Sequence, residues 1–144
     1  MDNAPARTAP PATDAGDTAH ITNLLHRFAR LADVGELTEL GADLAEDIVW
    51  RMAEATWHGR GDVVAGLGRM RELGYAGPAS GNRHVVTNVE VYLDGDGEAA
   101  TAHSYFQLVS PGTPAPITVI GSYADELRRT PDGRWLLADR RVTT

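Results

Sequence analysis

The chain has 144 residues, no cysteine and a formal net charge of −7, which suits one domain with a single core and excludes disulfide bonds, thiolate metal ligands and a cysteine nucleophile. The negative charge and the interleaving of arginines with acidic residues disfavour a nucleic-acid groove, and no apolar run approaches the roughly 20 residues that a membrane-spanning helix needs. Residues 1–5 have neither the basic start nor the apolar core of a secretory signal, so we expect a cytoplasmic protein.

The N-terminal part is predicted to be a tail followed by a helix. Residues 1–17 are rich in Ala, Pro, Thr and Asp, and we expect them to be disordered, with the folded domain spanning residues 18–144. Asp17 and Thr18 offer an N-cap for a helix that ends near Asp33. The apolar residues of this helix recur at helical spacing and are Ile21, Leu24, Leu25, Phe28, Leu31 and Ala32.

Two more helices and one strand are predicted next. A short second helix carries three leucines between residues 37 and 44, and residues 48–52 form a short strand. Residues 56–61 are predicted to form a turn. Asp62 then caps a third helix, whose apolar residues are Val63, Val64, Leu67 and Met70.

The second half of the chain changes from helical spacing to a period of two. Strands are predicted at residues 84–93, 98–110, 117–129 and 134–143, separated by turns rich in Gly, Pro and Asp. Helices followed by a meander of long antiparallel strands are typical of an α+β fold. We expect the sheet to curl into a cone-shaped barrel, with three helices covering it and a pocket inside.

The outer face of this sheet needs cover. Val85, Val89 and Val91 alternate with polar positions on one predicted strand and are expected to share one face. A second copy of the chain is the simplest cover, so we expect a symmetric homodimer through the outer sheet face.

Asp33 and His84 are the candidate catalytic pair. Asp33 ends the first helix, and His84 opens a strand after a glycine-rich loop. An exposed anion in the last helical turn faces the negative end of the helix dipole at a cost of about 0.3–1 kcal/mol, which a hydrogen-bonded partner would offset. A carboxylate that holds an imidazole fixes its tautomer and raises its basicity, as proton transfer at neutral pH requires. The alternatives are a solvated helix-end carboxylate and a strand histidine bonded to a backbone carbonyl.

Several loose motifs occur together in an order that resembles a known domain. They are Leu25-x-x-Phe28-Ala29-x-x-Ala32-Asp33-x-Gly35, Trp57-x-Gly59-Arg60, Arg83-His84-Val85-Val86-Thr87-Asn88, Ser104-Tyr105-Phe106, Gly121-Ser122-Tyr123-x-Asp125-x-Leu127-Arg128 and Gly133-Arg134-Trp135-x-Leu137-x-x-Arg140. Over roughly residues 18–143 the chain resembles the SnoaL-like domain of the nuclear-transport-factor-2-like superfamily of cone-shaped α+β barrels. Many functions occur on this one scaffold.

The resemblance implies relatives that include polyketide cyclases, ketosteroid isomerases, scytalone dehydratase, bile-acid dehydratases and small subunits of ring-hydroxylating dioxygenases. In the dehydratase branch a helix-end aspartate pairs with a strand histidine, and a tyrosine lies five residues before the aspartate. Asp33 and His84 match the first two positions, whereas Phe28 stands at the tyrosine position. The loss of that phenol favours shape-driven cyclisation over dehydration.

Further residues are candidates for contact with a substrate. Asn88 shares the His84 face at a period of two and could bind a substrate oxygen, and Arg140 could bind an anionic or enolate oxygen. The alternatives are an asparagine that satisfies the sheet and a surface arginine. The aromatic candidates for the cavity wall, which are otherwise core residues, are Phe28, Trp50, Trp57, Tyr105 and Phe106. The other histidines and the glycine clusters lack the spacing of metal, dinucleotide or phosphate sites, so no metal and no cofactor are expected.

The leading hypothesis is a cofactor-independent cyclase, dehydratase or isomerase for an apolar, oxygenated small molecule such as a polyketide intermediate. His84, oriented by Asp33, would move a proton, while Asn88 and Arg140 stabilise the oxyanion that develops. One alternative is a non-catalytic ligand-binding or assembly module, such as the small subunit of an oxygenase. Another is a cyclase that works by the shape of its pocket alone.

Overall fold

The computed structural model describes residues 15–144, which form one six-stranded sheet and three α-helices. The helices are α1 (Ala15–Val34), α2 (Leu37–Gly41) and α3 (Arg60–Glu72), and a 3₁₀ turn follows at Pro78–Ser80. The strands are β1 (Leu44–Arg51), β2 (Thr56–His58), β3 (Arg83–Leu93), β4 (Ala99–Val109), β5 (Ile117–Arg129) and β6 (Trp135–Thr143). The predicted α+β fold, with helices before a meander of long strands, is confirmed.

The sheet is mixed, in the order β2-β1-β6-β5-β4-β3. Strands β3 to β6 form the predicted antiparallel meander, joined by short turns. Strand β1 lies parallel to β6 and antiparallel to β2. This arrangement makes Trp50 of β1 the neighbour of Arg140 of β6, and Asp125 of β5 the next neighbour along.

Helix α1 packs its apolar stripe against the sheet, where it contacts β3 and β6. Ile21, Leu25, Phe28 and Leu31 recur every three or four residues and are all buried. Full burial of each such side chain stabilises the fold by about 1.5–3 kcal/mol. The helix has 20 residues but is amphipathic, and no helix in the described part of the chain is long and apolar enough to cross a membrane.

The N-terminal boundary of the fold differs from the prediction. Residues 15–17, predicted to belong to the tail, lie in α1. The carboxylate of Asp17 accepts a hydrogen bond from Trp135 Nε1 of β6 at 3.1 Å and pairs with Arg129 of β5. These contacts hold the start of the helix against the sheet. The predicted disorder of residues 1–14 lies outside the described residues.

Three local predictions between α2 and α3 are wrong, and in the first two sheet pairing overrides local pattern. Leu44 does not end the second helix but opens β1, where it pairs with Leu137 of β6. The predicted turn at residues 56–61 begins with strand β2, which pairs with β1. Helix α3 begins at Arg60 rather than after Asp62, whose carboxylate instead accepts the backbone N–H of His58 at 3.2 Å.

A bulge in β3 changes which side chains face the core. The pairing between β3 and β4 shifts register between Thr87 and Glu90, and Asn88 adopts a left-handed backbone with φ of 54°. The extra residue reverses the alternation beyond it. Val91 is therefore buried in the core while Val85 is exposed, and the prediction that Val85, Val89 and Val91 share one face is wrong.

Candidate active site

A cavity of about 310 Å³ lies between the helices and the sheet. Its wall is predominantly apolar and is formed chiefly by Leu25, Phe28, Ala32, Leu37, Trp50, Met52, Leu67, Met70, Phe106, Leu108, Val119 and Val142. A few polar or charged side chains interrupt this wall, among them Arg71, His84, Tyr123 and Arg140. The volume falls at the lower end of the range of about 300–1,000 Å³ that is usual for small-molecule sites.

His84 and Asp33 meet at this wall. His84 Nδ1 lies 2.7 Å from Asp33 Oδ1, and the His84 backbone N–H donates to Asp33 Oδ2 at 2.9 Å. Asp33 is only 4% exposed, and the His84 side chain is 17% exposed. With Nδ1–H donated to the carboxylate, His84 Nε2 is the nitrogen left to accept a proton.

Contacts from Arg71 and His84 stabilise an aspartate at the C-terminal end of helix α1. Asp33 lies in the last turn, where the carbonyl groups carry the negative end of the helix dipole. Arg71 of α3 covers those groups, because its Nη2 atom lies 2.9, 3.1 and 2.8 Å from the carbonyl oxygens of Leu31, Ala32 and Gly35. This guanidinium and the two hydrogen bonds from His84 offset the unfavourable position of the Asp33 carboxylate.

A second hollow of about 250 Å³ adjoins the pair on the side of α1. Asp33 and His84 both line it, together with His26, Arg30 and Arg83. Since His84 lines both spaces, its imidazole stands between the main cavity and this hollow.

Arg140 lines the main cavity and is buried, so the alternative of a surface arginine is wrong. Its Nε and Nη2 atoms donate to Asp125 Oδ1 and Oδ2 at 2.8 and 2.9 Å, with the two side chains 3% and 0% exposed. The guanidinium carbon lies 3.8 Å from the ring centre of Tyr123 and 5.2 and 5.3 Å from those of Phe28 and Trp50. Burial disfavours the charged guanidinium, but Asp125 more than compensates and raises the pKa of Arg140.

Tyr123 is a cavity residue that the sequence analysis missed. Its ring stacks on Phe106 with centroids 4.5 Å apart and an interplanar angle of 12°. Burial raises the pKa of Tyr123 to about 12; the charge of Arg140 opposes this shift, and those of Asp125 and Asp33 add to it. The period of two that links Tyr123 to Asp125 on one strand face was the available signal.

Four of the predicted substrate-contact residues line the cavity, and three do not. Phe28, Trp50, Phe106 and Arg140 line it. Their roles toward a substrate stay predictions.

Trp57, Asn88 and Tyr105 lie outside the cavity lining, each for a different reason. Trp57 packs behind Trp50, with ring centroids 6.1 Å apart, in space left by Gly66 of α3. Asn88 is exposed at the bulge, which turns it away from the His84 face. Tyr105 is exposed on the outer face of the sheet, because it alternates with the inward-facing Phe106.

Residues 15–144 contain no cluster with the geometry of a metal site. No group of three or more His, Cys, Asp or Glu side chains there is arranged to hold a metal ion. The absence of a cofactor stays a prediction.

Comparison with known proteins identifies the family of the chain. Residues 13–141 match the family model described as the SnoaL-like domain. No curated protein matches the chain.

Solved structures are similar over most of the chain. An NTF2-like protein with a cystatin-like fold from Novosphingobium aromaticivorans is 25% identical, with a TM-score of 0.76 over 89% of this chain and 81% of that one. ActVI-ORFA from Streptomyces coelicolor is 23% identical, with a TM-score of 0.74 over 89% and 96% of the two chains. A candidate scytalone dehydratase from Novosphingobium aromaticivorans is 19% identical, with a TM-score of 0.75 over 92% and 87%. The last two show the shared fold alone, whereas the family match spans nearly the whole chain, and the protein belongs to the family of the SnoaL-like domain.

Proposed function

We propose that this protein is a cofactor-independent cyclase, dehydratase or isomerase that acts on an apolar, oxygenated small molecule such as a polyketide intermediate. The observation that carries the proposal is the 2.7 Å contact between His84 Nδ1 and Asp33 Oδ1 at the wall of a largely apolar cavity. The family and the likeness in fold to a candidate scytalone dehydratase support a reaction of this kind.

The proposed reaction begins with proton abstraction. His84 Nε2 removes a proton from a carbon next to a carbonyl group, and the electron pair of that C–H bond forms an enolate. Asp33 holds the imidazole in the required tautomer and stabilises the imidazolium that results. In an isomerisation the protonated His84 returns the proton to another carbon of the extended enolate. In a cyclisation the enolate carbon forms a bond to the carbon of a second carbonyl group, and His84 protonates the alkoxide oxygen that results. In a dehydration the enolate electron pair forms a C=C bond while His84 protonates the departing hydroxyl group, which leaves as water.

Arg140 and the aromatic wall support this chemistry in different ways. The guanidinium of Arg140 supplies a fixed positive charge near the developing oxyanion, although Asp125 already neutralises part of it. Phe28, Trp50 and Phe106 confine the substrate in a reactive conformation. Asn88, exposed at the bulge, has no part in this mechanism.

Kinetics of two variants test the proposal on a panel of polycyclic and linear polyene ketones. His84→Ala should lower kcat/KM by about 10²–10⁴-fold, because a positioned general base contributes that much. His103→Ala is the matched control, since His103 is an exposed histidine on β4. Unfolding curves of both variants verify that the fold is retained.

Three outcomes separate the alternatives. Loss of turnover in His84→Ala but not in His103→Ala supports acid–base catalysis. Full turnover in both His84→Ala and Asp33→Asn indicates a cyclase that works by pocket shape. Ligand binding without turnover by the wild-type protein indicates a binding or assembly module.

We also infer that the protein is a homodimer through the outer face of the sheet. Tyr105 and Ile120 are 59% and 67% exposed there, and Val85 is exposed beside them. The strand pairing places Val85, Gln107 and Ile120 in one row across three strands, with Tyr105 in the next row. Light scattering should give a dimer for the wild-type protein and a monomer for Ile120→Glu, and a wild-type monomer would contradict this. A cytoplasmic location stays a prediction.

A further inference from the structure

We propose that the Tyr123 hydroxyl binds a neutral carbonyl oxygen of the substrate and thereby selects ketones over carboxylates in the cavity. The inference deepens the proposed function, and it rests on that function for the reaction that follows binding. Binding itself is testable without any turnover.

Tyr123 carries a hydroxyl donor that has no acceptor in the described part of the chain. The residue is 8% exposed and lines the cavity. Its hydroxyl group forms no hydrogen bond with any other side chain or backbone group between residues 15 and 144. The Tyr123 oxygen is not sealed in the interior as Trp50 Nε1 and Ser104 Oγ are, so it can donate to a ligand in the cavity, and a ligand oxygen that accepts this hydrogen bond gains affinity.

The Tyr123 ring is held beside the candidate catalytic histidine. Phe106 stacks on Tyr123 at 4.5 Å and contacts His84 with ring centroids 6.0 Å apart. Gly121, two residues before Tyr123, leaves the space that the Phe106 ring fills, because a Cβ atom at this position would collide with that ring. One aromatic ring thus bridges the phenol and the imidazole, and a substrate in contact with both has its carbonyl group and its acidic carbon at defined places.

The surroundings of Tyr123 favour a neutral acceptor over an anion. Arg140 lies over its ring, but Asp125 already binds that guanidinium through two hydrogen bonds. The positive charge of Arg140 acts on the phenol and is opposed by the two negative charges of Asp125 and Asp33, which leaves a net charge of −1 around the hydroxyl. A carboxylate beside the hydroxyl would meet these two anions, whereas a ketone oxygen would not. Arg71, the other arginine of the cavity wall, is bound to the end of α1.

Equilibrium dialysis with three bicyclic probes tests this proposal. The probes are 2-acetonaphthone, 2-isopropylnaphthalene and 2-naphthoate, which share one ring system and differ in the acceptor. Tyr123→Phe should weaken binding of the ketone about tenfold, the upper part of the usual range for one hydrogen bond. Binding of the hydrocarbon and of the carboxylate should change by less than about twofold, since neither depends on the hydroxyl in this account.

Tyr105→Phe is the control, because Tyr105 is an exposed tyrosine on the outer face. It should bind all three probes as the wild-type protein does. Tyr123→Phe retains the ring that stacks on Phe106, and a thermal unfolding curve verifies its fold.

The proposal is overturned if Tyr123→Phe binds the ketone as tightly as the wild-type protein, or if the wild-type protein does not bind the ketone. An equal loss for ketone and carboxylate overturns the selectivity. Failure of the proposed function is a separate result, because it is measured as turnover by His84→Ala and leaves these affinities unchanged.

Discussion

Two buried carboxylates each hold a basic side chain at the same cavity, yet the two pairs are suited to different tasks. Asp125 binds Arg140 through two hydrogen bonds, and both side chains are sealed from solvent. Asp33 binds the His84 side chain through one contact, and that imidazole is partly open to two spaces. A guanidinium keeps its proton at neutral pH, whereas an imidazole exchanges it. The first pair thus stabilises the fold and keeps a fixed positive charge at the cavity, whereas proton transfer is our proposal for the second pair.

Asp33→Asn should produce the largest change in activity. An amide at this position cannot hold His84 in the Nδ1–H tautomer as a carboxylate does, so kcat/KM should fall by about 10²–10⁴-fold. Steady-state kinetics on the ketone panel measure this loss, and urea unfolding measures stability beside it. A variant with wild-type turnover would remove the carboxylate from the mechanism.

Asp125→Asn should produce the largest change in stability. The variant leaves the charge of Arg140 buried without its counterion, which costs about 3–5 kcal/mol when one partner of a buried pair is removed. Urea unfolding measures the loss. Asp47→Asn is the matched control, since Asp47 pairs with Arg128 in the solvent and should give an unchanged unfolding curve. Equal curves for Asp125→Asn and wild type would contradict a structural role for the pair.

Arg71→Met should lower activity and stability less than the two aspartate variants do. It removes the guanidinium that covers the end of α1, which should lower the free energy of unfolding by about 1 kcal/mol. Because that helix end carries Asp33, kcat should fall as well while the pair remains present. The exposed neighbour Arg69 supplies the control variant Arg69→Met, which should leave both values unchanged. Equal losses in Arg71→Met and Arg69→Met would mean that the positive charge of α3 stabilises the protein and that the contact of Arg71 with the end of α1 does not.

The last prediction concerns stability in the alkaline pH range. The pKa of Tyr123 is raised from 10.0 to about 12, chiefly by burial, so between these values the folded protein keeps a proton that the unfolded chain releases. Its contribution to the free energy of unfolding is complete below pH 10 and is lost as the pH rises through 12. Urea unfolding from pH 9 to 11.5 should show a shallower fall for Tyr123→Phe than for wild type, and identical slopes would contradict this.

The spacing of apolar residues and the positions of turn residues predicted helix α1 and the four strands of the meander. The stripe of Ile21, Leu25 and Phe28 gave helix α1, and the Gly- and Pro-rich turns separated four strands whose structural limits differ by one residue at most. The pairing of Asp33 with His84 was predicted from the resemblance to the dehydratase branch, and the need of an anion at a helix C-terminus for a donor favoured it.

Features that depend on strand pairing could not be read from the sequence. The bulge at Asn88 appears only when β3 is aligned with β4, and it moves Asn88 out of the site. The partnership of Asp125 with Arg140 depends on the register of the hairpin between β5 and β6. Without that register Arg140 resembled a surface arginine, and Tyr123 had no reason to be chosen over Tyr105.

Hydrogen exchange at carbon tests the central claim without knowledge of the natural substrate. The claim is that His84, held by Asp33, removes a proton next to a carbonyl group in the cavity. NMR can follow the replacement of the acidic C–H hydrogens of 2-tetralone by deuterium in D₂O. The account predicts that the wild-type protein accelerates this exchange by at least about 10²-fold over His84→Ala. Equal exchange rates for the wild-type protein and His84→Ala would contradict it.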